Sequence, residues 1–177
     1  VITVLMTVFN GSQYLRSSIE SVLNQTFQDF ELLIIDDCST DESLEIMRSY
    51  DDDRIVIHLN EENLGQTKSL NKGLGLARGK YLARMDADDL ALLTWLEHQY
   101  AFMQQNPEYA VVSTKAAVIN GQNRIVRILK TPVSSEDIIL RSLTASPINH
   151  VGSLMQRRII LDNGGYDECL NVPADYD

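Results

Sequence analysis

Apolar runs of strand length alternate with amphipathic stretches of helix length through the first half of this chain, and few folds accommodate that alternation. Residues 2–8 are β-rich and largely apolar, the pattern of a strand buried on both faces, and Asn10-Gly11-Ser12 breaks the run with turn chemistry. Leu15, Ile19, Val22 and Leu23 then recur at helical spacing, with Arg16, Ser17, Glu20 and Asn24 on the opposite side. Residues 30–35 form a second apolar run that ends at Asp36-Asp37. Ser39, with Glu42 three residues on, reads as a capping box opening a helix whose Leu44 and Met47 face the sheet. Residues 55–59 read as a third strand, Leu70, Leu74 and Ala77 as one face of a third helix, and residues 81–85 as a fourth strand. Repeated β-α-β predicts an α/β fold with a doubly wound, mostly parallel sheet and helices on both faces, because right-handed crossovers put them there.

The second half is less regular. Leu92, Leu96, Tyr100 and Met103 predict an amphipathic helix stopped by Asn106-Pro107, and residues 110–114 a strand. Residues 116–119 and 124–129 pair as a hairpin around Asn120-Gly121, and Ser134 caps a short helix running through Leu143.

With 177 residues, 44% of them hydrophobic, the chain suits one domain with a sizeable core. The formal charge of −10 and the scattering of Lys and Arg, paired only at Arg157-Arg158, leave no stripe to follow a phosphate backbone, so nucleic acid is not an expected partner. No apolar run reaches the roughly 20 residues that span a bilayer, and no secretory signal stands at the N-terminus. Cys38 and Cys169 lack metal-ligand spacing and read as free thiols of a reducing compartment, hence a cytoplasmic location, with a peripheral position at the inner face of the membrane left open. The chain starts at Val1 inside a strand pattern and stops at Asp177 in an acidic segment, as expected of a fragment of a longer protein.

Ligands of doubly wound sheets bind outside the carboxyl ends of the strands. Residues 7–10, Asp36-Asp37 and Met85-Asp86-Ala87-Asp88-Asp89 all fall at those ends, so three polar clusters converge on one edge. Three carboxylates in four positions repel one another and resist losing water. A hard divalent cation with oxygen ligands is the economical compensation, and a solvated acidic turn that caps the next helix is the alternative. Asp37 follows a run of apolar residues and so needs a partner of its own.

These residues carry a resemblance. Residues 4–10 (VLMTVFN), 21–27 (SVLNQTF), 36–41 (DDCSTD), 63–65 (NLG), 77–81 (ARGKY), 86–89 (DADD), 164–168 (GGYDE) and 174–177 (ADYD) resemble, in order and spacing, the motif series of glycosyltransferase family 2. The resemblance implies a GT-A fold, with a Rossmann-like nucleotide-sugar-binding half (residues 1–91) and an acceptor-side half (residues 92–177). It implies a nucleotide-sugar donor, UDP-linked by preference, a Mn2+ or Mg2+ ion, and transfer with inversion to a hydroxyl of a glycan or lipid-linked acceptor. A metal held by carboxylates fits such a reaction, since the departing nucleoside diphosphate gathers negative charge.

By the same resemblance Thr7, Phe9, Asn10 and Asp37 surround the nucleotide, with the Asp37 carboxylate accepting from an imide N–H of the base. Asp88 is the first metal ligand and Asp86 faces the ribose or the metal. Asp89 orients Asp88, caps the next helix or faces the acceptor, and Lys68 faces the donor phosphates or solvent. His150 stands near the acceptor or is a buried histidine. Asp175, in the acidic motif near the end, is the catalytic base, its alternative being an acid at a helix start. Thr7 replaces a usual proline and Cys38 a usual glycine, two departures that bear on the base pocket. Two further readings compete at lower rank: a non-catalytic nucleotide-sugar-binding module, and a sugar nucleotidylyltransferase, whose Gly-rich, Arg-containing loop is missing after the first strand. A phosphoacceptor receiver domain would carry its acid pair after the first strand, where Asn10-Gly11-Ser12 stands instead.

Overall fold

A computed structural model describes residues 1–144 and 146–169. Strands β1 (Ile2–Val8), β2 (Phe30–Asp36), β3 (Ile55–Leu59) and β4 (Tyr81–Asp86) are mutually parallel. They alternate with helices α1 (Ser12–Leu23), α2 (Ser43–Arg48) and α3 (Gln66–Leu76). After α4 (Trp95–Gln105) come β5 (Val111–Ser113), the hairpin β6 (Ala117–Ile119) and β7 (Ile125–Ile128), α5 (Ser135–Ser142), β8 (Ser153–Gln156) and α6 (Arg157–Asp162). The main sheet runs β3-β2-β1-β4-β8-β5, with β8 antiparallel to both of its neighbours.

Side chains alternate across the strands, so each strand feeds two cores. Ile2, Val4, Met6 and Val8 pack with Leu15, Ile19 and Val22 of α1, Met47 of α2 and Leu96 and Met103 of α4. Leu5, Leu33 and Ile35 face the other way, onto Leu70 and Leu74 of α3. All seven residues of β1 are buried, as a strand covered on both faces requires. The hairpin forms around Asn120-Gly121, with Asn123 in the left-handed region, and Ser134 caps α5 by accepting from Asp137 N–H. The β6 and β7 residues are exposed.

Three details differ from the sequence reading. No capping box forms at Ser39: its hydroxyl accepts from Asn10 N–H across the strand-end crevice, and α2 starts four residues later. Asp41 takes over the work of joining the two helix starts, accepting from Ser12 N–H and Ser43 N–H. Those bonds outweigh the burial that opposes ionisation and hold its carboxyl down at about 2. Leu92 is 82% exposed and precedes α4; its backbone carbonyl, rather than its side chain, is used, accepting from Gln25 and Trp95 N–H. Strand β8 and helix α6 escape periodicity because each is a single short element, and β8 is recognisable only by its pairing between β4 and β5.

Among the described residues, Gly79 is the glycine lying closest against another stretch of backbone. A Cβ there would lie 2.4 Å from Thr3 N and 2.7 Å from Ile2 C, both backbone atoms that cannot swing aside. Its N–H donates to Thr3 Oγ, which donates in turn to Glu31. Gly79→Ala is expected to lower the unfolding free energy in urea by about 1–3 kcal/mol, the usual cost of overpacking.

Candidate functional site

Parallel register sets the site. Thr7 of β1 stands opposite Ile35 of β2 on one side and Asp86 of β4 on the other, and Val8 stands opposite Asp36. The carboxyl ends of three strands therefore deliver Thr7, Asp36-Asp37 and Asp86 to one edge, as the alternation predicts. Phe9, just beyond β1, is 53% exposed and so available as a ring surface, not a core aromatic. Asn10, at φ 52°, accepts from Thr40 N–H and ties the β1 turn to the loop after β2. Cys38 has φ 66°, which accounts for glycine being usual at that position: the left-handed conformation costs any residue with a Cβ.

The partner that a buried Asp37 requires comes from its own chain. Oδ1 accepts from Asn60 Nδ2, Leu64 N–H and Ser69 Oγ, and Oδ2 from Gly65 N–H at 2.9 Å. Gly65 has φ 84° and turns the chain into α3 immediately afterwards. Asp37 thus pins the 60–65 loop and the start of α3 to the end of β2. Oδ2 receives one donor and keeps a further accepting site, the one a base imide N–H would use. Desolvation pushes the carboxyl up, but the bonds from Asn60, Leu64, Ser69 and Gly65 outweigh it and hold it below the usual value.

Asp86, Asp88 and Asp89 lie together at the end of β4, each offering a carboxylate oxygen, the three within 4.8 Å of one another. Asp88 and Asp89 are exposed, Asp86 half-buried. Hard oxygen donors in this number suit Mn2+ or Mg2+. Asp89 does not cap the next helix, which Thr94 precedes. Ser18 of α1 donates to the Asp86 carbonyl at 2.8 Å and fixes the turn from below. Asp86 Oδ1 accepts from Gln66 Nε2 and forms an ion pair with the guanidinium of Arg84, which is wholly buried in β4.

Beyond Arg84 stands a second layer. His150 Nε2 meets Tyr166 Oη at 3.0 Å, and both rings are half-buried. Burial and the Arg84 cation push the imidazole down to about 4 against the pull of Asp86, and burial lifts the Tyr166 hydroxyl to about 12. At neutral pH the pair is uncharged. Asn71 of α3 holds the 164–168 loop from both sides: its amide nitrogen donates to the Tyr166 carbonyl and its oxygen accepts from Tyr166 N–H. Lys68 is exposed on α3. Asp175 lies outside the described residues.

Sequence reasoning missed Arg84, Asn71, Gln66 and Tyr166 as site residues. For Arg84 a signal existed, a charge inside an otherwise apolar strand, which demands a buried partner. For Asn71 and Gln66 none did, since polar residues on a helix face are ordinary.

Because its carboxyl is depressed, Asp37 stabilises the fold fully above about pH 4 and loses that contribution as the pH falls through its folded value. Asp37→Ala is expected to lower urea stability at pH 7 by at least about 2 kcal/mol, through an unpaired Leu64 N–H and a lost charged acceptor. The gap to the unaltered protein should narrow at pH 3; a pH-independent gap would assign the loss to packing.

A model of Glycosyl transferase family 2 matches residues 3–165. An uncharacterized glycosyltransferase of Haemophilus influenzae is 34% identical over 169 residues, covering 90% of this chain and 52% of the relative. One from Methanocaldococcus jannaschii is 34% identical across the whole chain and 62% of its own length. Among solved structures, Staphylococcus aureus TarS 1-349 in complex with UDP-GlcNAc superposes with a TM-score of 0.75 at 26% identity, over 93% of this chain and 48% of that one. The mannosyltransferase PcManGT from Pyrobaculum calidifontis, in complex with GDP-Man and Mn2+, gives 0.70 at 19% over 94% and 47%. The chain thus spans roughly half to three-fifths of the relatives it matches. The fold, with its mostly parallel sheet, is GT-A, and the chain belongs to glycosyltransferase family 2.

Proposed function

We propose that the edge formed by β1, β2 and β4 binds a UDP-linked sugar with Mn2+ or Mg2+. The sugar passes with inversion to a hydroxyl of a glycan or lipid-linked acceptor. The observation that carries this reading is the cluster of Asp86, Asp88 and Asp89 oxygens within 4.8 Å at a strand end of a family 2 domain. Neighbours of the same fold in complex with UDP-GlcNAc and with GDP-Man and Mn2+ support it. A lipid-linked acceptor would go with a cytoplasmic, membrane-peripheral location; among the described residues no helix is long and apolar enough to cross a membrane.

Asp88, exposed, is the first ligand, and Asp86 contributes the oxygen that Arg84 leaves it. When bound, the cation neutralises the charge that collects on the departing diphosphate. Phe9 offers its ring to the base, with Thr7 beside it, and Lys68 reaches toward the phosphates. Asp37 accepts from the imide N–H of the base through Oδ2, and with Asn10 it holds the loops that frame this pocket. Asp89 belongs with the metal side, and His150 lies behind the acceptor side. Asp175 takes the proton of the acceptor hydroxyl as its oxygen bonds to the anomeric carbon and the bond to the diphosphate breaks.

Calorimetric titration of UDP with and without Mn2+ tests the donor site. Binding should require the cation, and Asp88→Ala should abolish that requirement along with the affinity; undiminished metal-dependent binding in the variant would overturn the assignment. In the full-length protein, Asp175→Asn should keep metal-dependent UDP binding and lose transfer by a factor of roughly 10² to 10⁴. Near-normal turnover would move the base elsewhere, with Asp177 the next residue to examine.

A further inference from the structure

Beyond its pairing with Asp86, the buried cation beside the acidic cluster has no part in the roles above. Arg84 is 0% exposed and lies two residues from Leu82 on the α3 side of β4. Its two terminal nitrogens are committed, one to the Met85 carbonyl and one to Asp86 Oδ1. Its Nε–H is buried without a hydrogen-bond partner among the described residues. A guanidinium with its Nε–H unsatisfied is costly to keep in a strand whose other residues before Asp86 are Tyr81, Leu82, Ala83 and Met85, where an apolar residue would pack more cheaply. Structural need alone does not explain it. The charge is directed at the cluster: it touches Asp86, and its field reaches His150.

We propose that Arg84 is a positioning residue that sets the charge of the metal and donor site. It holds one oxygen of Asp86 inward, so that the carboxylate presents a single oxygen to the cluster, and it offsets negative charge there. With the guanidinium in place the cluster holds the cation less tightly than its carboxylates alone would, and the loaded site carries less negative charge when the anionic diphosphate arrives. Removing the guanidinium charge should have opposite effects on the two ligands: the cation is held more tightly by a more negative cluster, and the diphosphate less tightly by a site that keeps excess negative charge. A residue that merely props up the strand would weaken both.

This inference rests on reading the cluster as the donor-metal site, so Asp88→Ala serves as the control for that reading. In the full-length protein, Mn2+ affinity without nucleotide is measured by electron paramagnetic resonance, and UDP affinity by calorimetry at saturating Mn2+. Arg84→Met is expected to tighten Mn2+ by about tenfold or more while weakening UDP by about tenfold or more, on the scale of one charge removed at short range. Arg84→Lys, which keeps the charge, should leave Mn2+ affinity within about threefold of the unaltered protein on the same electrostatic ground. Should Arg84→Met alone not fold, the double variant Arg84→Met with Asp86→Asn, which buries no lone charge, is compared with Asp86→Asn: the double variant should bind Mn2+ more tightly than the single. Loss of both affinities in Arg84→Met, a large change in Arg84→Lys, or a double variant weaker than Asp86→Asn would each overturn the proposal. If Asp88→Ala retains full Mn2+ and UDP affinity, the site reading itself fails; if it loses both while the Arg84 series is flat, only the role of Arg84 fails.

Discussion

A carboxylate at the end of a buried strand calls for donors or a cation, and the architecture around this edge follows from how Asp37 and Asp86 are compensated. Asp37 is answered by Asn60, Ser69 and the N–H groups of Leu64 and Gly65, which brings the loop after β3 and the start of α3 to the crevice. Asp86 is answered by Arg84 and Gln66, one from its own strand and one from that same helix. Asp41 ties the starts of α1 and α2. Asp88, exposed, is the first ligand proposed for the cation. Each compensated acid adds a rigid wall, and the acidic cluster gains its geometry from them.

Much of the family's motif series works in this way, as scaffold. In the 21–27 segment, Ser21 accepts from Ala91 N–H, Gln25 donates to the Leu92 carbonyl and accepts from Leu96 N–H, and Thr26 pairs with Glu97. These bonds fasten the turn that leaves the acidic cluster to the end of α1. Gly79 permits the chain entering β4 to lie against Thr3, and Asn71 clasps the Tyr166 backbone. Positions far apart in sequence thus serve one end, the placement of three strand termini and two loops.

The first half was legible because β1, β2 and β4 are buried on both faces and α1 and α3 on one, which writes two distinct periodicities into the chain. Asp86, Asp88 and Asp89 were legible because like charges this dense demand an explanation. What stayed hidden was pairing at a distance. The need of Asp37 for a partner could be read locally, but its partners lie 23 to 32 residues away and look like ordinary loop and helix residues. Ser39 and Glu42 have the spacing of a capping box, yet a hydrogen bond to Asn10 across the crevice wins. Strand β8 is four residues long and acquires its identity from neighbours on either side.

Anomalous diffraction from crystals of the full-length protein grown with UDP and Mn2+ tests the central claim, that the end of β4 holds the cation and, through it, the donor. The account predicts a manganese peak ligated by an Asp88 oxygen and bridging to the diphosphate, with Asp86 still paired to Arg84 beneath it. A manganese peak away from residues 86–89, or UDP seated elsewhere than the β1, β2 and β4 ends, would contradict it.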